Sequence, residues 1–387
     1  MYEVRAVRAL GEVGREEWDA LIGDGSPFLE WDWLAALEGS GCVARKTGWL
    51  PQHLVARDRN GRLVAACPLY LKGHSMGEFV FDHEWAAAAQ RAGIEYYPKL
   101  LVGVPFTPAT GERFLTAPGS DRAALVQALG RALREICDAN ELSSVHVNFC
   151  RPDEVDVLRE VGFKERVGFQ YQWRNGGYVT FEDYLQHFRS KRRNQIRRER
   201  RELAAQEVDI EIRVGEAIPD EWFPVMFDFY KSTIDKLYWG RQYLRPEFFE
   251  HVRAGFKRNL CFVMALHHGQ PIAGTFNVQK GGVLYGRYWG AARELRHLHF
   301  NVCYYAAVAH CIDERLERFE PGAGGEFKTL RDFDPQLTYS MHYVRDGRLA
   351  AAIERFLIME RREVERAVGS MRERSELKAI EPSAGDA

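Results

Sequence analysis

Between Lys191 and Arg201 the sequence sets seven cations, Lys191, Arg192, Arg193, Arg197, Arg198, Arg200 and Arg201, around one acid, Glu199. Phe181, Leu185, Phe188, Ile196 and Leu203 recur through the same stretch at helical spacing, so the cations fall on the remaining faces of an amphipathic helix. The planar guanidinium fork suits phosphate oxygens, which makes Arg192, Arg193 and Arg197 candidate anion ligands. A solvated helix face, with Glu199 and Glu202 offsetting part of the charge, is the plain alternative. A polyanion would engage several of these side chains at once, a single phosphate-bearing group only two or three. A long proline-bearing loop, "IEYYPKLLVGVPFTPATGER", adds Tyr97, Lys99 and Arg113 as a second grip on an anionic group. His297 and His299 stand two apart with His310 on the next helix, but no carboxylate or cysteine follows at a ligand spacing, so no metal is expected.

The elements that must position these residues come in two similar runs. "HLVARDRNGRLVAACPLYL" reads as a hairpin turning at Asn60-Gly61, and "GEFVFD" as a third strand. Ser26 and Pro27 look like the N-cap and first-turn proline of a helix closed by Gly39 or Gly41. A helix through Ala123, Val126, Leu129, Leu133 and Ile136, the strand "SVHVNF", the short helix "PDEVDVLREV" and the strand "FQYQWR" complete the first run. In the second run Val263, Gly269 and Ala273 stand 208 positions after Val55, Gly61 and Ala65. The strand "VLYGRYWGA" and a helix through Val302, Tyr305, Ala309, Ile312, Leu316 and Phe319 follow. The spacing predicts one duplicated α/β unit, with "FEDYLQHFRSKRRNQIRRERREL" as a bridging helix.

Composition sets the outer limits. The 387 residues, 46% hydrophobic and 12% aromatic, suffice for two cores. A net charge of −2 excludes a polyanion binder of the histone kind, so DNA is not an expected partner. Seven cysteines without a C-x-x-C pair argue against a zinc ribbon or a disulfide framework. The opening residues lack a signal-peptide apolar core and no stretch is long enough to span a membrane, giving the expectation of a cytoplasmic protein.

The segments "HSMGEFVFD", "YYPKLL" with "VPFTPATGER", "SKRRNQIRRER", "LYGRYWGA", "LHF" with "CYY", and "GAGGEFKTLRDFDP" together resemble the FemAB-like family of N-acyltransferases, related to Fem-type peptidyltransferases of peptidoglycan biosynthesis. The resemblance runs from about Trp31 to Phe356. It implies an α/β (α+β) fold of two tandem GNAT-like acyltransferase domains with mixed, mostly antiparallel sheets, in which two central strands splay to receive an acyl donor. The expected boundaries are 1–175, 176–373 beginning with the basic helix, and a disordered tail at 374–387. It also implies an acyl or aminoacyl transfer from aminoacyl-tRNA or acyl-CoA to an amine, with no permanently bound cofactor. The acceptor is an amine of peptidoglycan-precursor-like or small-molecule type.

Fem-type enzymes carry a Phe-Lys pair at the place of Phe327 and Lys328, and acyl transfer builds negative charge on a carbonyl oxygen that an ammonium stabilises. Lys328 is the candidate for that charge, Glu326 and Asp82 for the base that takes the amine proton, and Arg287, Tyr288, Phe327 and Arg331 for lining the cleft. "RYWGAA" also fits the R-x-x-G-x-A pattern of CoA pyrophosphate loops, although "RELRHLHF" intervenes before the clear helical periodicity. Phe327 and Asn301 replace the histidine and the acid usual in this branch, and a non-catalytic binding protein that kept the fold is the alternative expectation.

Overall fold

The computed structural model describes residues 2–236, 241–373 and 377. The expected tail, 374–387, lies outside the described residues apart from Leu377. The first half contributes β1 (Glu3–Val7), β2 (Trp49–Pro51), β3 (His53–Arg57), β4 (Leu63–Cys67), β5 (Leu69–Lys72), β6 (Lys99–Val102), β7 (Leu115–Thr116), β8 (Ser144–Cys150) and β9 (Lys164–Arg174). The second contributes β10 (Val208–Val214), β11 (Leu260–His267), β12 (Gln270–Lys280), β13 (Val283–Ala291), β14 (Arg318–Glu320) and β15 (Asp334–Val344). A four-stranded sheet runs β1-β3-β4-β7 and an eleven-stranded sheet runs β10-β11-β12-β13-β14-β9-β15-β8-β6-β5-β2. Ladders are antiparallel except for β6 with β8 and β13 with β14. Those two parallel pairs carry the crossover helices Arg122–Ala139 and Leu298–Asp313, one per half, as expected of two GNAT-like units.

Chain order and sheet order part at β15. This strand, near the end of the chain, is hydrogen-bonded between β8 and β9, so the sheet crosses the expected boundary at residue 175. The core crosses it too: Trp33, on the first-half helix Trp31–Gly39, packs against Phe248, Phe256 and Phe276.

Both hairpins form, with different turns. Only Gly61 adopts positive φ in the first, whereas His268 and Gly269 both do so in the second. Val55 pairs with Ala66, but Val263 pairs with Thr275 rather than with Gly274, so the sequence offset is not kept by the ladders. "GEFVFD" is not a strand. Residues 77–82 form a loop with Phe79 at φ 59°, because Glu78 and Asp82 turn inward to a buried lysine. Ser26 and Pro27 open a 3₁₀ turn, Pro27–Leu29, and the helix starts only at Trp31. The bridging helix is broken into Phe181–Gln186 and Ser190–Ala204.

No helix among the described residues is long and apolar enough to cross a membrane. Gly290 of β13 lies under the helix Trp222–Asp235, where a Cβ would stand 1.7 Å from the Phe229 carbonyl oxygen, while Gly369 in the helix Gly347–Glu373 faces open space. Gly290→Ala is therefore expected to lower stability by about 3 kcal/mol and Gly369→Ala to raise it by about 0.5–1 kcal/mol. Urea midpoints of the two variants read both signs.

Candidate functional site

β9 alternates in sequence and in exposure. Phe169, Tyr171 and Trp173 join an apolar cluster, while Gln170, Gln172 and Arg174 line a cavity of about 450 Å³. Register carries this polar face sideways, since Gln336 pairs with Gln170, Thr338 with Gly168, and Arg318 with Arg174. Asp24–Ser26, Thr110–Glu112 and Arg151 of the first half close the cavity from the other side, so it lies between the halves. At its edge Glu320 is 8% exposed, accepts from Gln172 Nε2 at 3.2 Å and lies 3.2 Å from Arg318 Nε. Burial raises its pKa above the ordinary 4.5, against the pull of Arg318. A carboxylate held up in this way takes a proton more readily than an exposed one. Sequence reasoning missed Glu320; its only signal was an acid ending the strand that pairs in parallel with β13.

Each half has a gap where its parallel pair ends, and the two gaps are capped differently. In the first, pairing stops at Val102 with Val147. Residues 103–109 are buried and fill the space, with Gly111 N donating to Phe149 O at 3.2 Å. Arg113, 1% exposed, donates from Nε to Asn148 O at 2.6 Å, from Nη1 to Glu112 O at 2.9 Å and from Nη2 to Ala109 O at 2.6 Å. Arg113 thus closes a gap and offers nothing to a ligand, contrary to its expected grip on an acceptor.

In the second half pairing stops at Tyr285 with Glu320, while β13 continues along β12 to Ala291. The next carbonyls, of Pro321 and Gly322, accept from Lys328 Nζ at 3.3 and 2.8 Å. Lys328 is 2% exposed, and its Nζ stands 5.8 Å from the Tyr171 ring, which borders the cavity. Burial lowers its pKa to about 8. The Glu326 side chain lies outside the described residues.

Asp82, Tyr97 and Lys99 do come together, but as an internal network. Lys99 Nζ reaches Ser75 Oγ at 3.0 Å, Glu78 Oε2 at 2.8 Å and Asp82 Oδ2 at 2.5 Å, and Tyr96 OH donates to Asp82 at 2.6 Å. Tyr97 OH is 2.7 Å from Ser75 Oγ. Burial pushes the Asp82 carboxyl up, but the Lys99 ammonium against it outweighs burial and holds it well below the carboxylate range. An acid so firmly ionised is a poor base, and a fully buried Lys99 grips Asp82 and Glu78 rather than an acceptor. Beside them burial lowers Lys72 to about 7 and raises Glu78 to about 6.

Arg287 Nη2 donates to Phe106 O at 2.7 Å, tying β13 to the loop that fills the first gap, and Tyr288 packs edge-on against Tyr230. "RYWGAA" is strand, not a pyrophosphate loop: Ala291 N donates to Ser232 Oγ, and Ala292 N and Arg293 N to Ile272 O. Phe327 packs with His299, Phe300 and Tyr304, and Arg331 lies 3.6 Å over the Phe300 ring. Arg192, Arg193 and Arg197 are half-buried, bonded to Gln195, Gln186 and Glu182. The three candidate histidines separate, His297 to Glu202, His310 to Gln279 and His299 against Trp289.

The FemAB-like family model, described as peptidoglycan biosynthesis/recognition, matches residues 9–379. No curated protein matches the chain. Among solved structures, FemX is 12% identical and superposes with a TM-score of 0.55 over 88% of this chain and 98% of its own. L-PGS from Bacillus licheniformis is 8% identical, with a TM-score of 0.51 over 91% and 97%. A tandem GNAT protein from the clavulanic acid biosynthesis pathway is 14% identical, with a TM-score of 0.48 over 89% and 98%. At these identities FemX and L-PGS share the fold of this chain.

The bonding of Arg113 makes a sharp prediction. Arg113→Met strands the buried carbonyls of Asn148 and Ala109 at about 1–3 kcal/mol each, so a large fall in the denaturation midpoint is expected. Ligand affinity per folded molecule should be unchanged; weakened affinity at full stability would restore the gripping role.

Proposed function

The chain belongs to the FemAB-like family, and from that premise and the geometry of the cleft we propose an N-acyltransferase that works where its second gap opens beside the polar cavity. The observation that carries the reading is the asymmetry of the gaps: the first is filled by residues 103–113, the second is bounded by Glu320 and Lys328. An acceptor ammonium enters the cavity and gives its proton to Glu320. The amine nitrogen then attacks the donor carbonyl, and a C–N bond forms as the C–O bond of an aminoacyl ester, or the C–S bond of a thioester, breaks. The leaving oxygen or sulfur takes that proton from Glu320, and the new amide nitrogen gives its remaining extra proton to the freed Glu320 carboxylate, which passes it to solvent. Lys328 supplies positive charge toward the carbonyl oxygen from behind Tyr171.

Aminoacyl-tRNA is favoured over acyl-CoA as donor. The amides that would hold a pyrophosphate already bond Ser232 and Ile272, whereas the helix Ser190–Ala204 keeps a row of arginines for a longer polyanion. The family description, peptidoglycan biosynthesis/recognition, favours an amine acceptor of peptidoglycan-precursor character.

The test offers purified protein charged tRNA and, separately, acyl-CoA, each with a panel of amines. Product is expected from charged tRNA, with Lys328→Ala slowing it on the order of 10²–10³-fold. The rate should rise with pH as the raised Glu320 ionises and fall as Lys328 loses its proton through about 8. Lys328→Arg should remove the upper fall. Absence of product with both donors would overturn the reading.

A further inference from the structure

Glu199 is the one acid in the arginine run, and it faces inward. With Ile196 and Leu203 it forms the buried stripe of its helix, at 2% exposure, where periodicity calls for an apolar residue. A carboxylate held there needs several partners, and it has them from three directions. Gln195 Nε2 donates to its Oε1 at 2.8 Å, Tyr305 OH to its Oε2 at 2.5 Å, and Arg331 Nη2 lies 3.4 Å from the same oxygen.

Those partners lead to the lysine. Arg331 closes the 3₁₀ turn Glu326–Arg331 and donates from Nη1 to Phe327 O at 3.1 Å and from Nε to Tyr305 OH at 3.0 Å. Its own carbonyl accepts from Tyr184 OH at 2.8 Å, on the short helix preceding the arginine helix. Asn301 Nδ2 donates to the Glu199 carbonyl at 3.2 Å from the π turn Asn301–Tyr305, which also carries Tyr305. The carboxylate therefore sits between the helix that bears Arg192, Arg193 and Arg197 and the turn that bears Lys328.

We infer that Glu199 is a positioning residue that couples the arginine helix to the Lys328 turn through Arg331 and Tyr305, so that a polyanion held on the helix orders the turn. The inference rests on the transferase reading for its use, not for its geometry. It makes donor binding and placement of the ammonium a single event: an empty helix leaves the turn looser, and a bound polyanion tightens it.

The test is amide hydrogen exchange of residues 326–333 in the full chain, wild type and Glu199→Gln, with and without deacylated tRNA at low salt. Without tRNA, Glu199→Gln is expected to speed exchange in this turn about tenfold beyond any change in β11, a pattern that a general loss of stability would not give. With tRNA, the wild-type turn should gain protection and the variant's should not, at equal affinity. Tyr305→Phe, which removes one bond and keeps the charge, should fall between. Equal exchange in the two proteins without tRNA overturns the coupling whatever tRNA does. Failure of tRNA to bind wild type overturns the polyanion trigger and the tRNA-donor reading, while the tRNA-free comparison still decides the Glu199 link.

Discussion

The architecture depends on β15 being hydrogen-bonded along both edges. A strand buried between β8 and β9 cannot slip by one residue without exchanging its faces, and such a slip would turn Gln336 and Thr338 away from the cavity. Polar pins fix the register on the β8 side. Phe149 N donates to Ser340 Oγ at 3.1 Å, and His146 Nδ1 stands 2.7 Å from His342 Nδ1. Burial keeps both rings neutral, lowering His146 to about 3 and His342 well below its ordinary value, so one donates and the other accepts. A protonated pair at that separation would repel; neutrality turns the contact into a clasp between the halves.

With the sheet fixed, the two gaps become comparable. Each leaves a carbonyl exposed one residue past the last parallel pair, Asn148 in one half and Pro321 in the other, and each carbonyl is met by a cation. Arginine never gives up its proton, and its five donors suit a permanent closure of several carbonyls. Lysine, buried, shifts its pKa readily. The same local need for a donor is thus met by a fixed charge where the gap is filled and by a titratable one where it opens onto the cavity.

Much of this plan was legible in the residues. Both hairpins, the crossover helices and the amphipathic arginine helix follow from turn glycines and apolar spacing, and the Phe327-Lys328 pair was found through family likeness. What escaped was long-range. Nothing local in "DPQLTYSMHYV" says that it inserts between β8 and β9, because pairing partners nearly two hundred residues away leave no periodic signal. Asp82 reads from the sequence as a base and Lys99 and Arg113 as grips on an acceptor, yet charge type alone does not tell a ligand grip from a buried closure. That distinction depends on whether backbone carbonyls and carboxylates already occupy the donors, as they do here. Glu320 was overlooked for the converse reason: a strand-end acid looks like a turn former until the sheet closes over it.

The two departures from the family pattern also take on a physical meaning. Asn301 donates to the carbonyls of Glu199 and His297, a task that an ionised acid, having no donor, cannot perform. Phe327, where a histidine is usual, completes an aromatic wall with His299, Phe300 and Tyr304. Burial in that region lowers His299 to about 4, helped by the charges of Arg331 and Lys328, and lowers Lys328 to about 8. Both replacements are therefore fully used by their surroundings. Phe327 thus extends the aromatic wall beside Lys328, and Asn301 ties the π turn Asn301–Tyr305 to the arginine helix.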